Sequence, residues 1–183
     1  TPDKRDDNVE GRNVYEIFNY QIAYEIRLQQ AMEENLLCPF HYFGITDLSM
    51  IGDEEAARDF NMLTSDERVR HIVNQADYYG YSGDKVKGLI FCSNIKETEE
   101  LSAKFNQIIN PATGKNFRTV ALNGSASEQE RQDAFERLAM NEDESSEDRQ
   151  PLDYIFSVEI LNEGVDIVEV NQVIMLRPTQ SPI

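Results

Sequence analysis

The chain has 183 residues and a formal net charge of −17, with 40% hydrophobic and 28% charged residues. These values are typical of a globular domain, and they exclude a simple basic nucleic-acid-binding module, because neutralising phosphate takes lysine and arginine. No apolar run approaches the ~20 residues that a membrane-spanning helix needs, so we expect a cytoplasmic protein with no membrane contact.

The negative charge is concentrated in a few segments. Residues 47–67, 141–150 and 151–170 together carry −15, whereas residues 84–118 carry six basic residues against four acidic ones. One central stretch is therefore able to face phosphate even though the whole chain is acidic.

The N-terminal part predicts a helix followed by an extended segment. Phe18, Ile22 and Ile26 recur at helical spacing and indicate a helix over residues 15–34. Residues 36–48 are aromatic and apolar with an internal proline, which favours an edge strand.

Two further helices are predicted over residues 52–60 and 65–79. Two pairs can mark the start of the second, Ser65 with Arg68 or Thr64 with Glu67, the latter as a capping box. The cysteines, Cys38 and Cys92, have no metal-ligand spacing, and we expect both to be buried and reduced.

From residue 84 the pattern alternates between short apolar strands and amphipathic helices. Asn94 with Glu97 and Ser127 with Glu130 have the spacing of helix caps. The predicted elements are a strand at 87–93, a helix to about 109, a strand at 117–124, a helix from Ser127, a solvated and mobile loop at 141–150, and strands at 152–157 and 171–176. This order predicts a parallel sheet with helices on both faces.

Polar residues follow each predicted strand, where ligands gather in open parallel sheets. The stretches are Cys92-Ser93-Asn94, Asn123-Gly124-Ser125, Ser157 with Asn162-Glu163-Gly164-Val165-Asp166, and Arg177-Pro178-Thr179. Two interpretations stay open for them. The serines and asparagines are either helix caps and the glycines turn residues, or the stretches bind an anion such as phosphate.

The common catalytic motifs are missing. The sequence has no phosphate loop of the form Gly-x-x-x-x-Gly-Lys-Ser/Thr, no Gly-x-Gly-x-x-Gly after the first strand and no nucleophile elbow. His41 and His71 have no sequence partner that suggests a metal site or a triad. We therefore predict no metal site and no catalytic residue in this chain alone.

Three stretches resemble, in order, motifs IV, IVa and V of the second RecA-like domain of superfamily 2 DEAD/DEAH-box helicases. They are KGLIFCSNIKETEELSAKFN, TVALNGSASEQERQDAFERL and LDYIFSVEILNEGVDIVEVNQVIMLRPTQSP, and the resemblance covers residues 86–183. The stretch YEIFNYQIAYEIRLQQAMEENLLCPFHYFGITDL resembles the segment that joins the two motor domains in bacterial members related to type III restriction and XPB-like helicases.

The resemblance implies an α/β fold, with a partial RecA-like domain over residues 84–183 and a partly helical linker over residues 1–83. It also implies that Glu163, Gly164 and Asp166 face ATP in the cleft between two motor domains. Six residues would contact nucleic acid: Ser93, Asn94, Asn123, Gly124, Ser125 and Ser157. Neutral donors of this kind would follow a strand without reading its sequence.

The resemblance implies that the complete enzyme is a bacterial ATP-dependent DNA helicase or translocase that uses ATP and Mg²⁺. The chain ends before the position of motif VI, so we expect a fragment that is inactive and binds no cofactor alone. Its partners would be double-stranded DNA and the first RecA-like domain of the same chain. Two alternatives stay open: a restriction-complex motor subunit that translocates without unwinding, and a non-enzymatic α/β interaction module.

Overall fold

The computed structural model describes residues 19–21, 24, 26–45, 60–158, 160–161 and 167–177. Helices among them are α1 Leu28–Glu33, α2 Phe60–Leu63, α3 Asp66–Tyr79, α4 Ile95–Phe105 and α5 Glu128–Ala139, with a 3₁₀ turn at Glu142–Glu144. The strands are β1 Gly88–Phe91, β2 Thr119–Leu122, β3 Tyr154–Ser157 and β4 Gln172–Met175. The chain divides into two compact units, Thr1–Gly44 and Ile45–Ile183.

The N-terminal unit differs from its prediction. Asn19 and Tyr20 form a turn with φ of 49° and 58°, which a right-handed helix cannot accommodate, so the continuous helix predicted over residues 15–34 is wrong. The helix begins only at Leu28. Residues 36–45 form no strand and have no strand partner among the described residues, so the edge-strand prediction is also wrong there. Residues 15–18 and 46–48 lie outside the described residues.

The four strands form one sheet in the order β2-β3-β1-β4, and every neighbouring pair is parallel. This confirms the predicted parallel sheet. Of the two central strands, β3 is buried along its whole length, as expected for a strand covered on both faces. At the edge, β4 alternates, with Val173 and Met175 exposed.

Helices cover both faces of the sheet, as predicted. On one face, α3 and α4 contribute Val69, Ile72, Leu101 and Phe105 to a core around Phe156. On the other, Ala134 and Leu138 of α5 pack with a second set of strand residues: Leu89, Leu122 and Ile155. Helix α3, which we placed in the segment leading to the α/β domain, shares the core of that domain.

Each of the three longer helices begins at a cap that is visible in the sequence. The Ser65 hydroxyl accepts from the Arg68 N–H, so the first of the two proposed pairs marks the start of α3. Asn94 caps α4, and Ser127 with Glu130 forms a complete capping box at α5. The end of α4 was less well predicted. The helix stops at Phe105, and the side chain of the next residue, Asn106, bonds both the N–H and the carbonyl of Thr119.

The loop at 141–150 is mostly exposed, as predicted, and ion pairs connect both of its ends to the rest of the domain. Glu142 pairs with Arg118 and Lys85, and these pairs keep the pKa of Glu142 below its usual range, chiefly through the Arg118 hydrogen bond. At the other end of the loop, Arg149 pairs with Asp133 and Glu136 of α5: the shorter contact, to Glu136 Oε2, is 2.7 Å.

The two cysteines differ in environment. Cys92 is wholly buried, and burial raises the pKa of its thiol to about 12, so it stays protonated and unreactive at neutral pH. Cys38 is exposed, which corrects the prediction that both are buried.

No helix in the described part of the chain is long and apolar enough to cross a membrane. The described residues also contain no cluster of three or more histidines, cysteines or acids arranged to hold a metal ion.

Candidate nucleic-acid interface

The carboxyl ends of β1 and β2 lie at one edge of the sheet. Phe91 and Leu122, the last residues of these strands, are both level with Ser157 on the intervening β3. Two strand spacings separate them, or about 10 Å. The polar stretches that follow Phe91 and Leu122 therefore share one edge, as the sequence predicted, and each leads into the N-terminus of a helix.

The first stretch, Ser93-Asn94, is exposed and leads into α4. The side-chain oxygen of Asn94 accepts from the Glu97 N–H at 2.9 Å, so the helix-cap interpretation holds for this residue. Capping uses only the oxygen. Among the described residues, the amide NH₂ of Asn94 and the hydroxyl of Ser93 have no hydrogen-bond partner, so both remain available as donors.

The buried ion pair between Arg68 and Glu97 contacts the backbone of this stretch. Glu97 Oε2 accepts from the Ser93 N–H at 2.7 Å, and Glu97 Oε1 accepts from Arg68 Nη1 at 2.7 Å. The Glu97 and Arg68 side chains are 0% and 1% exposed. The sequence pattern had placed Glu97 in a capping box, but its carboxylate does not reach the Asn94 N–H. Arg68 had been noted only as a backbone donor to Ser65.

The second stretch, Asn123-Gly124-Ser125, forms a tight turn before α5. Asn123 Oδ1 accepts from the Ser125 N–H at 2.9 Å and from the Ser125 hydroxyl at 2.6 Å. Gly124 lacks the positive φ that would require glycine, and a Cβ there would meet no atom of the described residues within 4 Å. The fold alone therefore does not explain this glycine, which leaves its exposed backbone open to close approach by a ligand.

Arg131 is a residue that the sequence reasoning missed. It lies on α5 one turn after the Ser127 cap, and its Nη2 donates to the Gly124 carbonyl at 3.4 Å. Its Nε is buried and has no hydrogen-bond partner among the described residues. The signal that would have found it is helical spacing, because a base four residues after a cap lies above the capped turn.

Ser157 does not join this exposed edge. Its side chain is wholly buried, and its hydroxyl donates to the Ile160 carbonyl at 2.9 Å. The turn that it supports continues to Leu161, whose φ of 64° is uncommon for a leucine. Ser157 therefore shapes the segment that leads to Glu163, Gly164 and Asp166, and these three residues lie outside the described residues.

The positive charge at this edge of the sheet is confined to the surroundings of the two helix N-termini. The bases of residues 84–118 do not form one face, because Lys85 and Arg118 pair with Glu142 and Lys104 pairs with Asp66. Lys96 is exposed in the first turn of α4 and remains near the edge. With Arg131, it places two cations beside two helix N-termini, which favour anions through their N–H groups and dipoles.

Comparison with known proteins identifies the domain. Residues 67–183 match the family model described as "Helicase conserved C-terminal domain". No curated protein matches the chain. Among solved structures, the chain is similar to "Mss116p DEAD-box helicase domain 2 bound to an RNA duplex", with 16% identity and a TM-score of 0.40. The alignment covers 62% of this chain and 37% of that one, so this chain spans well under half of the matched structure. The family match and the parallel sheet covered on both faces agree with a RecA-like fold, and the chain belongs to the helicase conserved C-terminal domain family.

Proposed function

We propose that this chain supplies the second motor domain of a superfamily 2 ATP-dependent DNA helicase or translocase, and that the carboxyl edge of its sheet holds the phosphate backbone. One observation carries the nucleic-acid part of the proposal. Two capped helix N-termini, at α4 and α5, open at the same edge of one sheet, and each is preceded by exposed neutral donors.

Binding at this edge would be independent of sequence. The Ser93 hydroxyl, the Asn94 amide and the backbone at Gly124 would donate to phosphate oxygens, while Lys96 and Arg131 would add charge. Contacts of this kind set the position of a protein on a strand without reading its bases. They also let an acidic chain hold a polyanion, because the favourable potential is confined to one small surface.

The ATP part of the proposal rests on family membership. Glu163, Gly164 and Asp166 would face the cleft shared with a first RecA-like domain, where ATP and Mg²⁺ bind in the complete enzyme. Bound ATP would supply the free energy for cycles of cleft closure. The role of this chain's residues would be to close on the nucleotide with Asp166 while the Ser93-Asn94 and Asn123-Ser125 turns hold the strand.

The N-terminal stretch bears on the substrate and the motor type of the complete enzyme. The N-terminal stretch resembles linkers of bacterial enzymes related to type III restriction and XPB-like helicases, and this supports a double-stranded DNA substrate. A restriction-complex motor would translocate on DNA and hydrolyse ATP without separating strands. A strand-displacement assay run beside an ATPase assay on the full-length protein distinguishes this motor from a helicase.

A matched pair of substitutions at Asn94 tests the interface. Asparagine, aspartate and serine are comparable helix caps, so Asn94→Asp and Asn94→Ser both preserve the start of α4. Only Asn94→Asp places a carboxylate where phosphate is expected. We expect it to raise the Kd for DNA about tenfold or more, and Asn94→Ser to change the Kd about two- to threefold.

The measurement is fluorescence anisotropy with the full-length protein and a labelled DNA duplex carrying a single-stranded tail, at fixed salt. The same titration with the RNA counterpart measures the preference for DNA. Gly124→Ala extends the test to the second turn, because the added methyl group meets no protein atom yet would obstruct a close phosphate. Equal Kd values for the wild type and all three variants would contradict the proposal.

A further inference from the structure

We propose that Arg68 and Glu97 are positioning residues for nucleic-acid binding, and that they act by fixing the Ser93-Asn94 turn through the Ser93 N–H. The inference rests on the proposed function, since it concerns the same edge. It assigns a role to a buried pair that lies beneath the interface and exposes almost none of its surface.

The contacts make Glu97 a bridge between the core and the turn. One carboxylate oxygen accepts from Arg68 and the other from the Ser93 N–H, each at 2.7 Å. Both are charge-assisted hydrogen bonds, which are shorter and stronger than neutral ones. Because the Glu97 side chain is 0% exposed, its two oxygens have no access to water in place of these donors.

A buried ion pair is in general weak evidence for a stabilising role. Buried ion pairs are often replaced by apolar residues of similar size with no loss of stability, because desolvating the charges offsets their attraction. Helix α4 already has its cap in Asn94. Ser93 itself is exposed, so its N–H could bond to water instead. What an apolar replacement cannot reproduce is the fixed orientation of the turn.

The pair also ties the turn to the junction between α2 and α3. Arg68 Nη1 donates to the Leu63 carbonyl as well as to Glu97. Near the other end of α4, Lys104 Nζ donates to the Thr64 carbonyl at 2.7 Å and to Asp66 at 2.6 Å. Hydrogen bonds thus connect both ends of α4 to one short segment, residues 63–68. Arg68 and Glu97 are 29 residues apart. The orientation of the Ser93-Asn94 turn therefore depends on a segment that comes much earlier in the chain.

Two double variants of the full-length protein separate positioning from stability. Arg68→Met with Glu97→Leu removes the ion pair and the acceptor for Ser93. Arg68→Met with Glu97→Gln removes the ion pair but keeps an oxygen that can accept from Ser93. Neither leaves Arg68 or Glu97 as a buried charge without the other, which is why single variants at these positions are unsuitable.

We expect the variant that keeps the acceptor to bind the tailed DNA duplex about threefold more weakly than wild type, because Arg68 no longer anchors that acceptor. The variant without the acceptor should bind about tenfold more weakly, the value of one well-placed hydrogen bond. Urea unfolding measured in parallel should show similar stability for the two. Equal Kd values for the two variants would overturn the inference, and so would a loss of binding that follows a loss of stability.

The Asn94→Asp and Asn94→Ser pair is measured in the same titration. If that pair differs and the double variants do not, the edge binds DNA and only the positioning role is wrong. If neither pair differs, the proposed interface is itself wrong.

Discussion

Two buried carboxylates lie at opposite ends of the strands and are held in different ways. Glu97, beyond the carboxyl end of β1, has a hydrogen-bonded partner for each oxygen. Asp153, before β3, accepts from the Arg118 N–H through Oδ2. Its buried Oδ1 has no hydrogen-bond partner in the described part of the chain, and Lys85 Nζ lies 3.9 Å away. Burial is the largest cause that raises the pKa of Asp153, so the fold favours its protonated form.

Asp153→Asn should therefore stabilise the protein at pH 7. A folded-state pKa above the unfolded value means that ionisation costs stability as the pH rises through that interval, and the neutral amide avoids this cost. The amide oxygen can still accept from the Arg118 N–H. Urea unfolding should show the variant to be more stable than wild type at pH 7, with the gain shrinking toward pH 4. A variant less stable than wild type at pH 7 would show that the Lys85 contact outweighs desolvation.

Helix starts were predictable from the sequence because caps are local. Ser65, Asn94 and Ser127 each accept from an N–H three residues later, which fixes the spacing of the motif. Where elements end depends on partners distant in sequence. Helix α4 stops where Asn106 bonds Thr119, 13 residues away. A short stretch of sequence around residue 106 does not reveal this partner.

Ser127→Ala should lower the free energy of unfolding by about 1 kcal/mol, because it removes the oxygen that accepts from the Glu130 N–H. The capping box also holds the Glu130 carboxylate on the Ser127 N–H, and this bond keeps the pKa of Glu130 below its usual range. Ser127→Asn is the control, since asparagine is an equivalent cap. The check is equilibrium unfolding in urea, and equal midpoints for wild type and Ser127→Ala would show that the box does not stabilise α5.

At the scale of the whole molecule, alternation of strands and helices predicted a parallel sheet with both faces covered. The order β2-β3-β1-β4 was not predictable, because strand neighbours are chosen by long-range packing. The same limit explains why Arg68 was missed as the partner of Glu97. It also explains why the basic stretch 84–118 was overrated as a phosphate-facing surface, since Lys85, Lys104 and Arg118 find acidic partners only in the folded chain.

We propose that this acidic domain contacts nucleic acid through a small part of its surface and ATP through Asp166. At −17, the whole chain repels a polyanion at long range, so the proposed binding would come from short-range donors and from the helix N-termini at one edge. A motor of this kind would couple the two contacts, because closing the cleft on ATP moves the edge that holds the strand.

The most direct test of that claim is ATP turnover by the full-length protein, with and without double-stranded DNA. Wild type is compared with Asp166→Ala and with Glu169→Ala, which removes an exposed acid three residues away. We expect DNA-stimulated turnover that falls at least about tenfold in Asp166→Ala and persists in Glu169→Ala. Turnover indifferent both to DNA and to Asp166 would contradict it and would favour a non-enzymatic interaction module.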